Sequence, residues 1–69
     1  MRAEVRFNHG SRNVSIDWIE RNEVFNNNNF KQDLLGLDDK YRFTLMNEDN
    51  RQHLESDINR LIHHYEKSI

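Results

Sequence analysis

The stretch DNRQHLESDINRLIHHYEKSI, Asp49 to Ile69, decides the fold. At about 100° per residue, the angular form of a helical repeat, six apolar residues fall on one arc. They are Leu54, Ile58, Leu61, Ile62, Tyr65 and Ile69. Arg51, Asp57, Arg60, His64 and Lys67 fall outside it. An arc that wide suits a helix lying on a core, whereas a coiled-coil seam is narrower. Asn47 and Asp49 are both N-cap types, since a short side-chain oxygen accepts a free backbone N–H. Asp49 with Gln52 has the spacing of a capping box. Glu48 and Asp49 suit the positive end of the helix dipole, and His63, His64 and Lys67 the negative end. Arg51 with Glu55, and Asp57 with Arg60, stand at surface pairing distance.

The rest of the chain reads as material for this helix to cover. With 69 residues the expectation is one domain, residues 1–69. A chain this short buries only about 60% of its unfolded surface. No cysteine is present to form a disulfide or a thiolate metal site. Large apolar side chains, or a second subunit, must therefore supply the core.

Upstream, Val5 and Phe7 alternate with Glu4 and Arg6, and Val14, Ile16 and Trp18 with Asn13, Ser15 and Asp17. Between them Asn8-His9-Gly10-Ser11 carries turn chemistry, with Gly10 free to take a positive φ. This predicts a β-hairpin, in preference to a helix over 13–25, on which Ile16, Ile19 and Val24 would scatter. Glu23-Val24-Phe25 reads as a short strand or the lead-in to a loop. The run Asn26 to Asn29 is poor in either regular structure and serves best as a loop ending in a helix cap. Phe30 and Leu34, four apart, with Gly36 at a C′ position, predict a short helix near 29–35. Asp38-Asp39-Lys40 reads as a turn, and Tyr41, Phe43 and Leu45 alternate with Arg42, Thr44 and Met46 as a strand, 41–46.

The expected fold is thus α+β: a small, mostly antiparallel three-stranded sheet under the C-terminal helix. Its expected core is Val5, Phe7, Val14, Ile16, Trp18, Phe30, Leu34, Tyr41, Phe43, Leu45, Leu54, Ile58, Leu61 and Tyr65.

Chemistry is sparsely marked. His53, Asp57 and His64 share a helix face at spacings open to a divalent metal, but Arg60 among them would repel a cation, so surface roles are expected. The carboxylates Asp17, Glu20, Glu23, Asp33, Asp38 and Asp39 show no pairing that marks a cleft. No serine stands in a nucleophile motif, and two glycines cannot build a phosphate loop. No enzyme activity and no cofactor are expected. The net charge of −2, with signs interspersed among 32% charged residues, lacks the basic stripe of a nucleic-acid binder. No apolar run approaches a membrane span, and no secretory core opens the chain, so a cytoplasmic protein is expected.

What remains is binding. Open sheets offer edges and an uncovered face to partners, and Arg, Trp, Tyr and Phe are frequent anchors. The expected partner-binding residues are Arg6, Arg12, Trp18, Arg21, Phe25, Tyr41 and Arg42. The expected role is a non-enzymatic regulator or inhibitor that occupies another protein's surface. Size and composition are those of small phage-encoded or mobile-element proteins, and a homodimer is a further expectation. The alternative is a nucleic-acid-associated module in which Arg and aromatic side chains stack on bases. Strand parity weighs against it, because Arg6 and Phe7, and Arg42 and Phe43, would face opposite ways.

Overall fold

The computed structural model describes residues 1–68 and is α+β. Strand β1 (Arg2–Phe7) pairs antiparallel with β2 (Val14–Ile19) in a register that sets Val5 opposite Ile16 and Ala3 opposite Trp18. The hairpin turn is the expected one, with Gly10 at φ 72°. Glu20 ends β2 at φ 54°, a left-handed conformation uncommon for a side-chain-bearing residue, and it throws the chain out of the sheet. A 3-10 turn follows at Glu23–Asn26. Helices α1 (Asn28–Tyr41) and α2 (Glu48–Glu66) complete the chain.

Helix α2 starts as its cap chemistry dictates, with small differences. Asn47, rather than Asp49, is the N-cap, accepting the Asn50 N–H at 2.9 Å. Gln52 bonds Glu48 at 3.1 Å and forms no capping box with Asp49. Arg51 pairs with Glu55 at 3.3 Å as expected. Asp57 turns to Lys40 at 3.2 Å instead of Arg60. Leu54, Ile58 and Ile62 on the stripe are buried, and Ile69 lies outside the described residues.

One expected element is extended and another is overturned. The helix near 29–35 runs on to Tyr41, and the strand 41–46 does not form. Phe30, Leu34, Leu37 and Tyr41 are spaced four, three and four apart, one continuous helical stripe. Each is at least half-buried against the core. Gly36 therefore sits mid-helix without a positive φ, and Asp38-Asp39-Lys40 is helical rather than a turn. Beyond Tyr41 the chain turns, with Thr44 N–H donating to the Tyr41 carbonyl at 3.1 Å. Phe43 is 91% exposed and Leu45 59%, so neither belongs to the core. Residues 41–46 pair with neither edge of the two-stranded sheet: Tyr41 belongs to the last turn of α1, its hydroxyl held by Asp57, and the chain turns directly after it.

The core consists of Ala3, Val5, Val24, Phe30, Leu54, Ile58 and Ile62. Phe30 is fully buried and meets Trp18 and Tyr65 edge-on, with ring centroids 6.3 and 5.8 Å away. Such pairs contribute about 0.5–1.5 kcal/mol each beyond burial. Ala3, Val24 and Ile62 enter where Phe7 and Ile16 were expected. Phe7 shares the inner face of β1 with Ala3 and Val5 but lies past the first turn of α2, which reaches Val5 through Arg51. Val24 is buried by the 3-10 turn that Asn22 caps, accepting its N–H at 3.0 Å. In the Asn run, Asn27 has a distinct task. It caps α1, accepting from the N–H groups of Asn29 at 2.8 Å and Phe30 at 3.2 Å.

Candidate functional site: one closed edge, one open edge and a groove

Helix α2 runs along the outer edge of β1 and closes it with side chains. Asn59 Oδ1 accepts the Ala3 N–H at 2.9 Å, and Asn59 Nδ2 donates to the Ala3 carbonyl at 2.9 Å. Glu55 accepts the Val5 N–H at 2.9 Å, and Arg51 donates to the Val5 carbonyl at 2.6 Å. Arg51, Glu55 and Asn59 are four apart, so one helix face presents them in a column. They take the place a third strand would have. Further along, Glu66 receives the Met1 ammonium at 3.0 Å and the Asn22 amide at 2.7 Å.

The other edge is different. Because Ala3 and Val5 turn their main-chain groups toward α2, their cross-strand partners Trp18 and Ile16 turn theirs away from β1. Among the described residues, no side chain or neighbouring strand hydrogen-bonds these outward groups. The edge of β2 is open.

Beneath β2 lies a groove of about 550 Å³. One wall is the inner face of β2, with Val14, Ile16 and Trp18. The other is α1 with Leu34, Leu37 and Tyr41, and Leu54 and Ile58 of α2 form the floor. Its volume is in the range of ligand and side-chain pockets. Arg12, Arg42 and Asp38 stand at the polar rim. Neither arginine has an ion-pair partner among the described residues. Arg42 rests over the ring of Phe43, 5.3 Å from its centroid. The Tyr41 ring is pinned by its hydroxyl, which donates to Asp57 at 2.8 Å. Burial first, and then this bond, raises the Tyr41 phenol above its ordinary pKa. The same bond, seconded by Lys40, lowers the Asp57 carboxyl.

Of the seven residues expected to bind a partner, the groove gathers Arg12, Trp18, Tyr41 and Arg42. Arg6 lies on the opposite face of the sheet, held by Glu4 at 2.5 Å and Asp17 at 3.5 Å. Arg21 covers the ring of Phe25 at 4.6 Å, and Phe25 in turn meets Trp18 edge-on at 5.1 Å. That stack shares only Trp18 with the groove. Leu37 and Met46 line the groove and were missed in the sequence, although Leu37 belongs to the stripe from Phe30 to Tyr41. His53 and His64 stay on the surface of α2, with Asp57 committed to Tyr41 and Lys40. Among the described residues, no group of three His, Asp or Glu side chains is arranged to hold a metal ion. Among the described residues, no helix is long and apolar enough to cross a membrane.

No protein-family model, curated protein or solved structure matches this chain.

Proposed function

We propose that this chain is a non-enzymatic protein-binding module, acting as a regulator or inhibitor, that receives apolar side chains of a partner protein in the groove between β2 and α1. The observation that carries this is the convergence of Arg12, Trp18, Tyr41 and Arg42 around one apolar trough. Apolar floors ringed by aromatic and arginine side chains are where binding energy concentrates in protein interfaces. The two rim arginines, without ion-pair partners among the described residues, favour a segment whose apolar residues are flanked by acidic ones. Such charges steer encounter more than they add affinity. Occupying a partner's surface is then the whole action, and it needs no reacting group.

The nucleic-acid reading is weaker because Arg6 is neutralised by Glu4 and Asp17. Trp18 turns into the core rather than outward as a stacking platform.

A photo-crosslinking amino acid placed on α1 tests the proposal. At Leu37 it lines the groove, and at Leu35, 60% exposed, it lies outside it. The expected result in host lysate is a discrete protein adduct from position 37, absent from 35 and lost when Arg12 and Arg42 are both changed to Glu. Equal adducts from both positions, no adduct from 37, or an adduct only to nucleic acid would overturn it.

A further inference from the structure

We propose that the open edge of β2 takes a second copy of this chain, joining two hairpins into one four-stranded antiparallel sheet in the order β1-β2-β2-β1. This goes beyond the groove, with which it shares Arg12, Val14, Ile16 and Trp18, and rests on the open strand edge. The first argument is the asymmetry of the edges. Arg51, Glu55 and Asn59 saturate β1, while Ile16 and Trp18 leave their outward N–H and C=O groups unmatched. Pairing β2 with itself about a two-fold axis uses the open edge of each copy. It leaves only edges already covered by α2, which removes the hazard of further strand addition.

The second argument is that backbone geometry selects the register. Edge-facing residues must meet edge-facing residues, so the two-fold axis passes through a residue of the strand and not between two, which limits it to the positions from Val14 to Trp18. Axes through Ile16 and through Asp17 give the longest ladders within Val14–Ile19, and because the second would oppose the two Asp17 carboxylates, the axis through Ile16 is selected. In that register Val14 faces Trp18 of the second copy and Ile16 faces Ile16 on the inner side. Asp17 faces Ser15, whose other neighbour is Arg6, so no like charges meet. Just past the strand ends Arg12 comes level with Glu20 of the second copy, twice by symmetry. Neither residue has an ion pair within the chain among the described residues. An axis through Trp18 would instead set Ile16 against Glu20, and one through Val14 would set Ile16 against Arg12. Charge complementarity and strand length therefore agree on one arrangement.

Sedimentation equilibrium on the full chain, across roughly micromolar to millimolar concentrations that span typical weak and moderate affinities, tests the proposal. The expected mass rises from 8.4 kDa toward twice that value. Ile16→Lys, which brings two ammonium groups together on the axis, is expected to stay monomeric throughout. Ile16 is 36% exposed, so the lysine stem lies along the surface and circular dichroism should be unchanged. Arg12→Glu and Glu20→Arg are each expected to weaken association by roughly three- to tenfold, the scale of exposed ion pairs counted twice, and the double swap to restore it.

A readout independent of Ile16→Lys uses the absence of native cysteine. Ile16→Cys should oxidise readily to a covalent dimer, since residues facing each other in such a ladder are about 5.5 Å apart at Cα, within disulfide range. Ser11→Cys, far from the axis, should not. A chain that stays monomeric at millimolar concentration, a dimer indifferent to Ile16→Lys, or equal crosslinking at 11 and 16 would overturn the proposal.

Discussion

Asn59 and the main chain of Ala3 form a closed hydrogen-bonded ring, each group donating once and accepting once at 2.9 Å. The second N–H of the same amide bonds the Glu55 carbonyl at 3.0 Å, one turn back along α2. An asparagine in a helix usually spends its side chain on local competition with the backbone. Here the helix holds it in place, and it serves a strand instead.

Asn59→Ala should therefore destabilise the fold by about 1–3 kcal/mol, because it strands a half-buried donor and acceptor together. Asn59→Asp keeps the acceptor, loses the donor to Ala3, and should fall in the same range. Urea unfolding with unchanged slope would measure both. A loss no larger than that of an exposed helix substitution would mean that the ring contributes nothing.

Gly36→Ala should stabilise the protein. The residue lies mid-helix with an ordinary φ, and a Cβ built there meets nothing within 4 Å. Removing the excess freedom of glycine in a helix is worth about 0.5–1 kcal/mol, or several degrees of melting temperature for a domain of this size. Were Gly36 instead a left-handed cap ending a short helix, the same change would lower the melting temperature. Thermal melting thus separates a fourteen-residue α1 from a truncated one.

That contrast shows what the sequence carries. The hairpin and α2 were legible because period and punctuation agreed: alternation around Gly10, and an apolar arc after Asn47. The middle was misread because Tyr41 belongs to two patterns. It closes the helical stripe Phe30, Leu34, Leu37, Tyr41, and it opens the alternation Tyr41, Phe43, Leu45. Gly36 and Asp38-Asp39 imitate breaks, and local signals alone favoured the strand. What decides is tertiary: Tyr41 is half-buried as part of the helical stripe and tied to Asp57, while Arg51, Glu55 and Asn59 close one of the sheet's two edges. No periodicity displays such a column, since its members look like ordinary surface residues. The groove was half legible. Its arginine and aromatic rim was marked, but Leu37 was hidden in what read as a loop.

Acid should loosen the fold over a defined range. Glu48 is held down to about 2 by Arg51 and then Gln52. Glu4 is lowered first by Arg6, Asp57 by the Tyr41 hydroxyl, and Glu66 by the Met1 ammonium and then Asn22. A depressed carboxyl binds its proton more readily in the unfolded chain, so stability rises with pH through the window between the two values. Its contribution is complete above the ordinary glutamate value of 4.5 and is lost as pH falls toward about 2. Urea midpoints should be level from neutrality to about that upper value and drop below it, less steeply in high salt. A midpoint that rises on acidification would contradict the assignment of these pairs.

Residue-resolved amide hydrogen exchange on a dilute sample tests the central claim most directly, that α2 closes the edge of β1 and leaves β2 open. Ala3 and Val5 should be protected although they lie on a sheet edge, because Asn59 and Glu55 accept their N–H groups. Ile16 and Trp18, in the same hairpin, should exchange fast. Rapid exchange at Ala3 and Val5, or strong protection of Ile16 and Trp18 in the dilute monomer, would contradict it.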